Sequence, residues 1–370
     1  MKYIICGLAP GSGYGVPKLL EYLDDRLDQS KYTMLYPKVY NFRNKYLRWF
    51  VNKISKTFFF PMRLVGIQNK NIVLMHHQTI GLRLTKYLIN NNKRIDYYVM
   101  DNAFFCLKSY NYLGSKNKEC LECIGGKFEN AFKNYCKPYP TKFKVKDNII
   151  FLRYLKKQYK KINFYTLSNS NASLLKKHFG KDVRVKALYF ITNDMISYQQ
   201  NLKLPKKKVK HYDIVFHSHD LEPKGFNYMQ ELAKELNQYT LFIPTSKEIK
   251  NKKKNIFSNF VTWETGLKEI VMNAKLVLTL SLWSNTPEAA TIKSFIYNGS
   301  VGLIKNKYGF ANEIDHQAYL ELSGDKNSDV KKIDNFLKKK NYIRLRKHSK
   351  IYLEKYFEKG KKSMHKFFNI

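Results

Sequence analysis

Between positions 212 and 302 the sequence alternates short apolar runs with amphipathic ones, and few folds accept that alternation. Asp213-Ile-Val-Phe-His217 reads as a strand; a loop with Lys224-Gly225 follows, then a helix over 227–236 and a strand over 240–243. A helix over 267–274, a strand over 276–282, a helix from Pro287-Glu288 to position 297 and a strand over 301–304 complete the series, with Asn298-Gly299 stopping the last helix. Strands separated by helices cannot pair as hairpins, so they line up in parallel with helices on both faces.

The chain begins the same way. Lys2-Tyr-Ile-Ile-Cys-Gly7 is a buried-strand pattern, followed by the glycine loop Gly11-Ser-Gly-Tyr-Gly15 and an amphipathic run over 16–27. Further strands are expected over 71–75, 97–100, 164–167 and 183–190, with a helix over 170–178 ending at Gly180. A polar, lysine-rich run over 204–211 separates the two series. With 370 residues the chain exceeds one ordinary core, and its 44% hydrophobic and 15% aromatic content supplies two, which excludes disorder of the whole chain. The expected division is an N-terminal domain over 1–203 with a Cys-rich insertion near 101–140, a second domain over 204–350, and a C-terminal helix over 351–370.

Asp213-Ile-Val-Phe216 with Glu222-Pro-Lys-Gly-Phe-Asn-Tyr-Met-Gln-Glu-Leu232 resembles the strand and Lys-Gly loop of GT-B fold glycosyltransferases of the glycosyl transferase group 1 type. Leu280-Ser-Leu-Trp-Ser-Asn-Thr-Pro-Glu-Ala-Ala-Thr-Ile-Lys-Ser-Phe-Ile-Tyr-Asn-Gly-Ser-Val301 resembles that family's strand, acidic loop and helix. The resemblance covers the second series best and the first more loosely. It implies an α/β protein of two Rossmann-like domains facing across a cleft, with a C-terminal helix returning to the first domain. It also implies a nucleotide-sugar donor held mainly by the second domain, an acceptor held by the first, and a retaining, metal-independent transfer with no catalytic cofactor.

Sugar transfer releases a nucleoside diphosphate, so charge develops on the β-phosphate, and a fixed cation there stabilises the transition state more than the ground state. Lys224, in a strand-to-helix loop, is the cation expected in that role. The family's Arg five positions earlier is His219 here, and the second glutamate of the family's pair, eight positions after Glu288, is Ile296. Donor contacts are expected from Gly13, His219, Lys224, Glu264, Pro287, Glu288 and Lys293; for Glu288 the alternative is a simple helix-start carboxylate. His77 closes the strand over 71–75 beside His76, at the sheet edge where ligands bind, and Asp101 sits at the analogous edge as the base if transfer inverts.

Cys106, Cys120, Cys123 and Cys136 follow a C-x13-C-x2-C-x12-C spacing that resembles a structural zinc site, with packed reduced thiols as the alternative. Cys6 stands apart as a core thiol. The formal charge of +38, from 67 Lys and Arg against 29 Asp and Glu, calls for an anionic partner or reflects a genome-wide lysine bias. Residues 43–63 interleave basic side chains with Trp49, Phe50, Phe58, Phe59 and Phe60, a pattern for an anionic inner-membrane surface or for a core-facing helix with a solvated basic side. No run of eighteen apolar residues and no signal-peptide pattern is present, so a cytoplasmic protein, peripheral on the inner face of the plasma membrane, is expected. A glycan or lipid-linked acceptor is the expected second substrate, and no specific nucleic acid is expected. The alternatives are a nucleic-acid-binding basic protein, suggested by the charge with 28 Tyr and 25 Phe, and another nucleotide-sugar-handling α/β enzyme.

Overall fold

The computed structural model describes residues 1–11, 15–139, 143–193, 195, 211–249 and 252–370. Gly13 and all but the last residue of the lysine-rich run over 204–211 lie outside the described residues. Two compact units are present: the first takes Met1–Asn111, Leu121–Asn193 and Gly360–Ile370, the second Tyr112–Cys120 and Asp194–Lys359. Sequence reading had put the change of unit at 203/204 and the start of the returning helix at 351.

In the first unit a six-stranded parallel sheet is built from β1 (Lys2–Cys6), β2 (Tyr32–Leu35), β3 (Asn71–Met75), β4 (Arg94–Val99), β7 (Ile162–Thr166) and β8 (Val185–Ala187), in the order β2-β1-β3-β4-β7-β8. Its central strands are apolar nearly throughout because helices cover both faces, and Ile5, Val73, Leu74 and Tyr98 are fully buried. Strand 183–190 of the sequence reading shortens to β8, and β2 is an edge strand whose half-polar sequence hid it. The last residues of the helix Tyr342–Phe368 belong to this unit, where Phe367 packs its ring on Tyr165 at 4.0 Å.

The second unit orders β9 (Ile214–Phe216), β10 (Leu241–Pro244), β11 (Ile256–Asn259), β12 (Leu276–Thr279), β13 (Val301–Ile304) and β14 (Leu320–Leu322) as β11-β10-β9-β12-β13-β14, all parallel. The chain winds outward from β9 in one direction, then restarts at β12 and winds the other way. The loops after β9 and β12 therefore diverge, and ligands of open α/β sheets bind at such a switch point, beyond the carboxyl ends of the strands. In the first unit β1 and β3 form the corresponding pair. A two-stranded antiparallel ladder, β5 (Tyr112–Leu113) with β6 (Lys118–Glu119), belongs to the second unit.

A glycine after the first strand of each unit lets the two diverging loops touch. A Cβ on Gly7 would lie 2.0 Å from the carbonyl oxygen of Thr79, and one on Gly225 would lie 2.1 Å from that of Leu280. Gly225 has φ +81°, a left-handed conformation that side chains with a Cβ resist.

Candidate functional site

The loop after β9 makes a short 3-10 turn, Glu222–Lys224, and hands over at Gly225 to the helix Phe226–Glu235. The loop after β12, residues 280–287, is buried without regular structure. Buried backbone needs partners, and this loop finds them: the Leu282 N–H donates to the Pro223 carbonyl at 2.9 Å, and Asn306 Nδ2 donates to the Ser281 carbonyl at 2.8 Å. The 3-10 turn and the loop are thereby fixed against each other, which sets Lys224 opposite Glu288.

Lys224 Nζ lies 2.8 Å from Glu288 Oε1, with the two side chains 9% and 8% exposed. The same carboxylate oxygen accepts from Ser281 Oγ at 2.8 Å and from Trp283 Nε1 at 3.1 Å. The Lys224 ammonium also lies 5.1 Å from the centre of the Trp283 ring, within cation–π range. Glu288 is the residue before the helix Ala289–Tyr297 rather than part of its first turn, and its side chain does not cap that helix. Its carboxylate is committed to Lys224, Ser281 and Trp283 instead of the helix start, and the first turn of a helix is where backbone N–H groups and the helix dipole favour an anion.

His219 is exposed and stands in the field of the same pair. Partial desolvation by the protein around its ring lowers its pKa and the Lys224 charge lowers it further, while Glu288 and Asp220 pull it up. A second cluster forms around Trp263. His217 is buried, its Nδ1 2.8 Å from Ser294 Oγ and its ring stacked on Trp263 with centroids 5.1 Å apart. Lys293, buried as well, places Nζ 4.8 Å from the Trp263 ring centre. Trp263 opens the turn Trp263–Leu267, which Thr262 and Thr265 hold by reciprocal side-chain to backbone bonds, and Glu264 is exposed on that turn. Lys224, Glu288 and His219 thus come together; Lys293 and Glu264 gather around Trp263, and Pro287 is buried at the helix start. Trp283, Ser281, His217 and Ser294 were missed in the sequence reading. His217 and Ser281 lie one or two residues beyond strand ends and Trp283 lies four beyond β12 in the same loop, a position that could have found them, whereas Ser294 lies within the helix Ala289–Tyr297 and carried no such signal. Glu119, on β6, was missed too: it accepts from Ser284 Oγ at 2.5 Å and from the Lys307 N–H at 2.6 Å, bracing the loop.

In the first unit His77 is buried between Tyr97, whose hydroxyl meets its Nδ1, and Phe151, whose ring stacks on it at 4.8 Å. Its neighbour His76 adopts φ +56° and holds Nε2 3.6 Å from Asp101 Oδ2, beside a cavity of about 10 Å³ that admits about one water. Asp101 also accepts from the Ala103 N–H at 2.9 Å. Of the two histidines, His76 is the one that meets the acidic candidate. Cys123 is buried and Cys106, Cys120 and Cys136 are half-buried. Among the described residues no group of three or more His, Cys, Asp or Glu is placed to hold a metal ion. Cys6 is buried in β1, and that burial pushes its thiol up to about 12.

Burial depresses His77, His178 and His217 from near 6.5 to about 3. The unfolded chain takes up a proton on each as pH falls below 6.5, whereas the folded chain stays neutral until about 3. The stability these residues allow is therefore complete above 6.5 and lost on acidification. Going from neutral pH to about 5.5 should cost about 1.4 kcal/mol for each histidine. Urea midpoints measured across that range should fall; equal midpoints would contradict the burial of these rings.

No family model and no curated protein matches the sequence. Solved structures do. Sucrose-phosphate synthase from Thermosynechococcus elongatus is 11% identical with a TM-score of 0.60, covering 100% of this chain and 98% of that one. Anabaena HepE in complex with UDP is 11% identical with a TM-score of 0.57, each chain covered completely. TarM is 14% identical with a TM-score of 0.53 over 84% of this chain, which spans 56% of TarM's length. At this identity the likeness speaks for the fold: the chain has the α/β fold of the GT-B glycosyltransferases.

Proposed function

We propose that this protein transfers a sugar from a uridine diphosphate sugar to a hydroxyl of a cell-surface polysaccharide or lipid-linked acceptor at the inner face of the plasma membrane. The buried Lys224–Glu288 pair at the switch point of the second unit carries the reading. Buried ion pairs stabilise poorly, because desolvation offsets their attraction, so an ammonium buried against Glu288 and the Trp283 ring is better explained by a ligand than by folding. The diphosphate would lie between Lys224 and the first turn of the helix Ala289–Tyr297, with His219 beside it. Glu288 takes its three donors on Oε1, and its second oxygen would accept from a hydroxyl of the donor.

As the bond from the anomeric carbon to the diphosphate oxygen breaks, Lys224 neutralises the growing charge. The acceptor oxygen bonds to the same face, and its proton passes to the departing oxygen, so transfer retains configuration and needs no metal. His76 and Asp101, at the carboxyl edge of the first unit's sheet, are assigned to the acceptor. No metal is assigned to the four cysteines. Uridine is favoured as the base because HepE was solved with UDP and with UDP-glucose, and a Staphylococcus aureus TarM variant with Fondaparinux, α-GlcNAc-glycerol and UDP.

Thermal melts with UDP, GDP, CMP and ADP sugars test the reading. The matching nucleotide at a hundred times its Kd should stabilise by about 2.7 kcal/mol. If no nucleotide raises the melt and a random oligonucleotide does, the charge serves nucleic acid and the reading is wrong.

A further inference from the structure

The lipid-linked part of that reading leaves open how the protein reaches a membrane, since no described helix is long and apolar enough to cross one. Residues 39–65 supply a surface. The helix Lys45–Ile54 buries none of its residues, and Trp49, Phe50, Phe58 and Phe59 are 62%, 54%, 58% and 56% exposed. Val39, Leu47, Met62 and Val65 are exposed on the same segment. Monomeric proteins seldom leave so many large apolar side chains together in water.

The exposure is built in. Asn44 caps the helix by accepting from the Tyr46 and Leu47 N–H groups at 2.9 and 3.2 Å. Asn52 binds both the N–H and the carbonyl of Tyr40, and Ser55 Oγ donates to the Lys38 carbonyl at 2.8 Å. Phe60 and Leu64 are the buried anchors. The segment keeps its shape through caps and two inward side chains, leaving its rings outward.

Charge identifies the occupant. Residues 38–65 hold seven Lys and Arg, and no Asp or Glu occurs between Asp28 and Asp96. A second copy of this face would bring cations against cations. Nucleic acid would meet the charge but has no use for outward Leu, Met and Val tips. An anionic bilayer takes both, burying rings and aliphatic tips at the acyl boundary while its headgroups neutralise the lysines. We infer that residues 39–65 are the face by which this protein docks on an anionic membrane.

Sedimentation with phosphatidylcholine vesicles, with and without phosphatidylglycerol, tests this on the full chain. Phosphatidylglycerol should tighten partitioning at least tenfold, on the order expected for several basic side chains near the surface. Changing Trp49, Phe50, Phe58 and Phe59 together to Ser should weaken it by about tenfold or more. The emission of Trp49 should shift to the blue on binding, and W49F should lose that shift. Equal partitioning of the two proteins, indifference to phosphatidylglycerol, or self-association abolished by the fourfold variant without vesicle binding would each overturn the inference. The UDP-dependent melt, read on the same two proteins, reports separately on the second unit. Vesicle binding without a nucleotide response would sink the proposed reaction and leave the docking face standing.

Discussion

Replacing Lys224 with Met is expected to abolish the UDP-dependent rise in melting temperature and to lower the transfer rate by about 10² to 10³, the range seen when one preorganised electrostatic group is removed. Stability should fall as well, because Glu288 keeps its Ser281 and Trp283 donors but loses its countercharge in a nearly dry site. Breaking a buried pair from one side costs about 3–5 kcal/mol. The double variant K224M/E288Q separates the two effects. With neither charge present, the stability loss should largely disappear while transfer stays lost. Urea melts and initial rates on the two variants check this; a double variant that regains transfer would show that the pair is structural.

A bulky residue at position 225 should be the most destructive change of its size in the second unit. Val at Gly225 would have to hold φ near +81° and accommodate a Cβ 2.1 Å from the Leu280 carbonyl oxygen. Left-handed strain costs about 1–3 kcal/mol, and separating the two loops costs packing in addition. Because the Leu282 N–H to Pro223 bond crosses the same contact, relief by loop movement would also carry Lys224 away from Glu288. The expected result is a loss of at least about 3 kcal/mol, confined to the melt of the second unit, together with loss of UDP binding. A G225V protein with an unchanged melt would refute the close approach of the two loops.

These two residues also show what the sequence could disclose. A Lys followed by Gly between a strand and a helix is punctuation, since glycine takes a turn at positive φ more readily than any other residue, so both were found from one dimension. Their partners needed three. Glu288 was singled out, but pairing with Lys224 depends on β9 and β12 lying side by side, a consequence of the order in which the sheet winds. His217 closed a strand and had no visible task until Ser294 and Trp263 came beside it. Central strands were legible because burial on both faces makes them apolar. The edge strands β2, β11 and β14, half-covered and only three or four residues long, carried no such signal. Residues 43–63 gave their composition but not their orientation: a core-facing helix and a surface one share that pattern, and the exposure of every residue over 41–50 decides between them.

A crystal structure of the complex with UDP puts the central claim to its most direct test. A β-phosphate oxygen should lie within hydrogen-bond distance of Lys224 Nζ, with the first-turn N–H groups of the helix Ala289–Tyr297 turned toward the same diphosphate. Density for UDP elsewhere, with Lys224 still bound to Glu288 alone, would contradict the assignment.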